Sequence, residues 1–177
     1  MNIFILDKSP NLAAQYHCDK HVVKMILEAA QLLSTAHRVM DGHIFHAVSP
    51  KGRKLKRWKL LDERQHLIYQ ATHVNHPCAK WVREGVLNYN WLHDHLMCLL
   101  DEYEYRYEKQ HKVKGTLSLL LSSPPHALQN WEWTEPALAM PENFVVDNDP
   151  VESYRNYYRE AKSHLHSWKK RGPPGWL

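Results

Sequence analysis

The chain has 177 residues, enough for one domain with its own core, and 44% of them are apolar. A net charge of +4, with 14 His left neutral, permits a phosphate-bearing partner without requiring one. Three widely spaced Cys with no CxxC pair exclude a disulfide framework or a zinc ribbon, and no apolar run approaches the ~20 residues of a membrane span.

The start, MNIFILDKSP, lacks the charged and apolar regions of a signal peptide, which points to a soluble, reducing, cytoplasmic setting. Asn2 to Leu6 is β-prone, as one strand or as an extended segment laid across helices. Ser9 and Pro10 make a helix start, with Pro at the first helical position. Residues 11–40 then carry helical spacing, as one kinked helix or as a short one followed by a long one, with Asp19 as a second capping residue and Gly42 as the stop. Val22, Met25, Ile26, Ala29, Leu32, Leu33 and Ala36 form its apolar face. Beside them runs a polar stripe of His17, His21, Lys24, Glu28, Gln31 and Thr35, at steps of four and three. A solvated face usually repeats Glu, Lys and Arg. This one varies its chemistry, as a site would.

Residues 43–57 read as a loop holding SPKG and a basic run of Lys51, Arg53, Lys54, Lys56, Arg57 and Lys59 around Trp58. Cations beside an aromatic suit a phosphate backbone and an unstacked base. Residues 58–72 have helical spacing, and ATHVNHPC breaks it. Pro77 opens a second long helix to about His111, in which Gly85 marks a bend. That helix has its own mixed stripe of Glu84, Asn88, Trp91, His95, Cys98, Glu102 and Tyr105. Two such helices face to face would line a polar cleft. Val113 to Leu121 reads as a short helix, and residues 122–144 as a Pro- and Trp-rich loop whose aromatics need burial. Asp149, Pro150 and Glu152 start a final helix to about residue 168. The expected fold is all-α: one helical domain over residues 1–177, with two long antiparallel helices, a short extended N-terminus and the Pro/Trp-rich loop.

The densest constellation is HCDKH, residues 17–21. His17 and His21 at i and i+4 offer two imidazoles to a divalent metal such as zinc. His73, His76 or Cys78 would complete the set if all converged to ~2.1 Å of one point. No Glu follows the first His, so the zincin signature is absent. Without a metal, Lys20 or Lys24 would act as an amine nucleophile or base, with Glu28 or Glu102 as acid or base. His17, Asp19, His21 and His95 complete the catalytic candidates, and His73 and His76 also suit a phosphate. Trp81, Trp91 and Trp131 are candidate base-stacking partners, and Arg83 and Arg155 further phosphate contacts. No Gly-rich phosphate loop and no GxSxG elbow is present, which argues against NTP-driven motors, dinucleotide oxidoreductases and α/β-hydrolases.

The strings HCDKHVVK and HVNHPCAKW resemble a family of small tailed-bacteriophage proteins without a settled activity, and imply an infected bacterial host. LAAQYH, entered from an extended N-terminus, is similar to the phage pyrimidine-dimer DNA glycosylases. That resemblance implies attack on a sugar carbon by a terminal amine, with a Glu on the first helix as partner. In this chain the second residue is Asn2, too large for normal removal of Met1. Val23 and Lys24 stand at the matching helix positions in place of Glu. Lys20, Lys24 or the Met1 amine would then supply the nucleophile and Glu28 the acid.

These features favour an enzyme acting on nucleic acid or a nucleotide-like molecule, by base excision or base modification in a His/Lys/Glu-lined cleft. The alternatives are a non-catalytic protein that binds a nucleotide signal or a host defence protein, and a His-ligated metal-dependent hydrolase.

Overall fold

Ser9 caps the first helix by accepting from the Leu12 N–H, and Pro10 takes its first position. In the computed structural model, which describes residues 1–177, this helix (α1) spans Pro10–Tyr16. His17 and Cys18 are extended, so the chain restarts as a separate 23-residue helix, α2 (Asp19–Asp41), with Cys18 rather than Asp19 as its cap. The apolar positions read from the periodicity are all buried, and α2 also buries Ala30 and the polar His21, Ser34, Thr35, His37 and Arg38.

Gly42 stops α2. A Cβ there would stand 2.4 Å from the Arg38 carbonyl oxygen and 3.1 Å from the Trp58 Cβ, so the residue has to be small. The chain then forms an antiparallel hairpin, β1 (His43–Val48) with β2 (Lys54–Lys59), in the register Ile44 opposite Trp58 and His46 opposite Lys56. This corrects the loop expected over residues 43–57. The runs HIFHAV and KLKRWK are β-prone and flank SPKG. Gly52 at φ +75° and the Ser49 N–H to Arg53 carbonyl bond close the turn.

Residues 58–72 yield only a four-residue helix, α3 (Arg64–Leu67). The segment is organised by Arg38 instead, whose buried guanidinium donates to the carbonyls of Trp58, Gln65, Ile68 and Tyr69 and to the Gln65 side chain. The second long helix is also divided, into α4 (Pro77–Trp81) and α5 (Val86–Tyr107). At the break, a Cβ on Gly85 would meet the Glu132 carbonyl oxygen at 2.1 Å. Helix α6 spans Thr116–Leu120. Helix α7 (Pro150–Ala161) starts on the Asp149 cap and ends seven residues earlier than expected, in a 3-10 turn.

The core lies where α1, α2, α5 and α7 meet, and the N-terminal segment runs through it. Ile3, Phe4, Ile5 and Leu6 are buried without forming a strand. Phe4 takes φ +52°, rare for a residue with a Cβ. The Asn2 carboxamide holds this kink by accepting from the Ile3 and Phe4 N–H groups. The protein is mainly helical with one small sheet, and no helix is long and apolar enough to cross a membrane. The Pro/Trp-rich stretch lacks regular structure. It buries Leu128 and Pro136 but leaves Trp131 69% exposed and Trp133 42% exposed, against the expectation that its aromatics need burial.

Candidate active site at the N-terminus and Glu28

The polar stripe on α2 divides into three parts. At its start, His17 and His21 are buried under α7. The His21 Nδ1 lies 2.9 Å from the Tyr158 hydroxyl, and the His21 ring stacks on Phe4. His17 donates from Nδ1 to the Ala13 carbonyl at 2.6 Å and packs beside His95, which stacks on Trp91. Burial holds all three imidazoles neutral, His21 and His95 at about 4 and His17 well below its usual value. At its end, Thr35 and Arg38 are covered by residues 65–72.

Only the middle part opens to solvent, at Lys24, Glu28 and Gln31. There the Asn2 backbone N–H donates to Glu28 Oε2 at 2.9 Å, and Lys24 Nζ stands 3.4 Å from Glu28 Oε1. Asn2 is itself fixed, its Nδ2 donating to the Ala139 carbonyl at 2.8 Å. His76 is the N-cap of α4, accepting from Cys78 N–H. Its pKa is lowered by burial first, then by the positive charge of the chain's N-terminus and by His73, with Glu28 opposing. The N-terminal amine, Glu28, His73 and His76 therefore share one electrostatic neighbourhood beside Lys24. Burial pushes the neighbouring Cys78 thiol up to about 11, so it stays protonated.

The remaining candidates fall elsewhere. Asp19 would be raised by burial, but the Lys169 N–H, the Ser167 hydroxyl and the Arg106 guanidinium outweigh that and hold its carboxyl below the usual range. It fastens the C-terminal tail to α2. Lys20 is exposed. His17, His21, His73 and His76 are not brought together, and no three His, Cys, Asp or Glu side chains converge as a metal site would need. His17 and His21 have core partners, while His73 is on the surface against Thr72.

Of the candidate nucleic-acid contacts, Lys51, Arg53, Lys54 and Lys56 are exposed on the hairpin and Arg57 is half-buried. Trp58 is buried at the hairpin root under the Lys56 ammonium, so it is not free to stack on a base. Trp81 is enclosed and bonded to the Thr134 carbonyl. Arg83 donates to the Val74 carbonyl, and Arg155 pairs with Asp7. Trp91 is the floor of a cavity of about 470 Å³ that Lys8, Trp133, Glu135 and Asp149 also line. This cavity is not the cleft expected between the long helices, because α2 and α5 pack directly together through buried side chains.

Helix α5 explains its own stripe in the same way. Asn88 bonds Trp81 and Thr134, and Glu102 holds Arg106 and Arg171. The polar variety on both long helices is largely a set of sockets for chain that arrives from far away in sequence. What sequence reasoning missed is the Asn2 contact to Glu28. Its signal was a β-prone segment with nowhere to pair, which had to lie across α2.

The chain is a mainly helical body in which the backbone amide of the second residue, one peptide bond from the N-terminal amine, donates to a helix carboxylate. The sequence profile of the pyrimidine dimer DNA glycosylase family matches residues 1–115, and the chain belongs to that family. This is a family of DNA glycosylase type, whose substrate is nucleic acid. The searches of curated proteins and of solved structures return no match.

Proposed function

We propose that the protein is a DNA glycosylase that attacks the C1′ of a damaged nucleotide with a primary amine held beside Glu28. One observation carries the reading: the 2.9 Å hydrogen bond from the Asn2 backbone amide to the Glu28 carboxylate, which brings the start of the chain onto the α2 stripe. The amine is the α-amine of Met1, or of Asn2 if Met1 is removed. The Lys24 ammonium, on the other Glu28 oxygen, is the competing nucleophile. Glu28 lies one turn beyond the helix positions that the family resemblance implies for its Glu. From there its carboxylate reaches back to the N-terminal segment.

In the reaction the amine lone pair forms the N–C1′ bond. The C1′–base bond breaks, and its electron pair leaves with the base, which takes up a proton. Loss of an amine proton and opening of the C1′–O4′ bond leave an imine, which water then hydrolyses. Glu28 accepts the amine proton and returns one to O4′. His73 and His76 line the approach and suit a phosphate. We also take α2 and α5 to be antiparallel, supported by Asp19 meeting Arg106 and His37 meeting Tyr89. The setting is the cytoplasm of an infected bacterium, supported by the tailed-phage resemblance.

Borohydride trapping on ultraviolet-irradiated duplex and on abasic duplex tests the reading. The expected adduct maps to the peptide holding Met1 and Asn2, while an adduct on Lys24 would move the nucleophile. Salt-dependent DNA binding with no trapped adduct and no base release would favour the non-catalytic alternative.

A further inference from the structure

The β1–β2 hairpin stands out from the helical body. Every residue of β1 is exposed or half-exposed, including Ile44 at 56% and Val48 at 69%, and only its root is fixed, by buried Trp58 and Arg38. From residue 42 to residue 61 the chain has six Lys and Arg and no Asp or Glu. Resting on the reading above, we infer that this hairpin is a β-ribbon that enters the major groove of duplex DNA. It grips phosphates with Lys51, Arg53 and Lys54 and lays Ile44 and Val48 against base edges.

Dimensions decide the groove. The major groove is about 12 Å wide and admits a two-stranded ribbon without distortion, whereas the minor groove, at about 6 Å, takes one only where the DNA is bent and the groove widened. Six-residue strands at about 3.3 Å each make a ribbon roughly 20 Å long, enough to follow the groove over several base pairs. Charge decides the occupant. An exposed strand edge invites a second copy, but six like charges repel one and attract a polyanion. In the hairpin register Ile44 and Val48 share a face with Lys54 and Lys56, so the apolar side chains sit among cations rather than on a self-complementary face.

The test uses the full chain and a short, undamaged, fluorescein-labelled duplex, with the same sequence as a single strand. The variant Lys51→Ala/Arg53→Ala/Lys54→Ala is expected to bind the duplex on the order of tenfold or more weakly, its salt slope shallower by about 0.9 for each phosphate it no longer neutralises. The variant Ile44→Ser/Val48→Ser is expected to weaken duplex binding with an unchanged salt slope, and to spare the single strand. A charge variant with the wild-type slope, equal weakening on duplex and single strand, or hairpin-dependent self-association in sedimentation would each overturn the inference. Absence of a trapped adduct in the wild type overturns the glycosylase reading alone, since duplex binding by the hairpin is read independently.

Discussion

At the scale of single residues, the distinction that matters is between polar side chains that are spent and those that are free. Before and at the start of α2, His17 and His21 are bonded to Ala13 and Tyr158 inside the core, while Glu28 stays partly open with two nitrogens at its oxygens. Replacing Glu28 by Gln is expected to lower the yield of trapped adduct about 10²-fold or more while DNA affinity holds. A fluorescence titration beside the trapping assay separates the two. The buried imidazoles lead to a stability prediction. Burial lowers His21, His37 and His95 from 6.5 to about 4, and pulls His17 well below its usual value too. The unfolded chain therefore binds more protons than the folded one below pH 6.5. Stability is complete above that pH and falls as pH drops from 6.5 toward 4, with each His contributing up to about 1.4 kcal/mol per pH unit. Urea unfolding at pH 7 and pH 5 measures this, and His95→Gln is expected to flatten the slope.

At the scale of elements, α2 does two jobs at once. Its middle carries Glu28, and its last turn carries Arg38, which gathers the hairpin root and residues 65–69 through five hydrogen bonds. Arg38→Met leaves buried acceptors unsatisfied and is expected to cost about 3 kcal/mol or more, read by chemical denaturation. Hydrogen exchange in β2 and α3 should rise in the same variant, because both are tied through that one guanidinium. The helix starts at Pro10, Pro77 and Pro150 were legible because caps and first-position Pro act within a few residues. The hairpin was not. A strongly basic composition reads as a solvated loop, and ladder bonds between residues up to sixteen apart leave no local mark.

At the scale of the whole molecule, the family profile covers residues 1–115, yet the core does not close there. Tyr158 and Tyr154 pack on Phe4, Thr134 fills the Asn88 socket, and Arg171 completes the Glu102–Arg106 network. Glu102 and Arg106 are fully enclosed, and breaking such a buried network costs about 3–5 kcal/mol. A chain ended at residue 115 is expected to lose cooperative unfolding and to bind a hydrophobic dye. A two-state melt for that fragment would refute the integral role given to α7 and the tail.

The chain by itself determined the helical class, the helix starts and the apolar face of α2, because turn chemistry and periodicity are local properties of the sequence. It also brought Lys24, Glu28 and the basic run of residues 51–59 into view as chemistry-bearing groups. Tertiary structure alone decided which polar residues face the core and which stay open. Whether a histidine on a stripe meets water or a tyrosine from 137 positions away depends on how distant segments pack. The Asn2–Glu28 contact is of the same kind: its two ends lie 26 residues apart, and only the folding of the N-terminal segment across α2 brings them together.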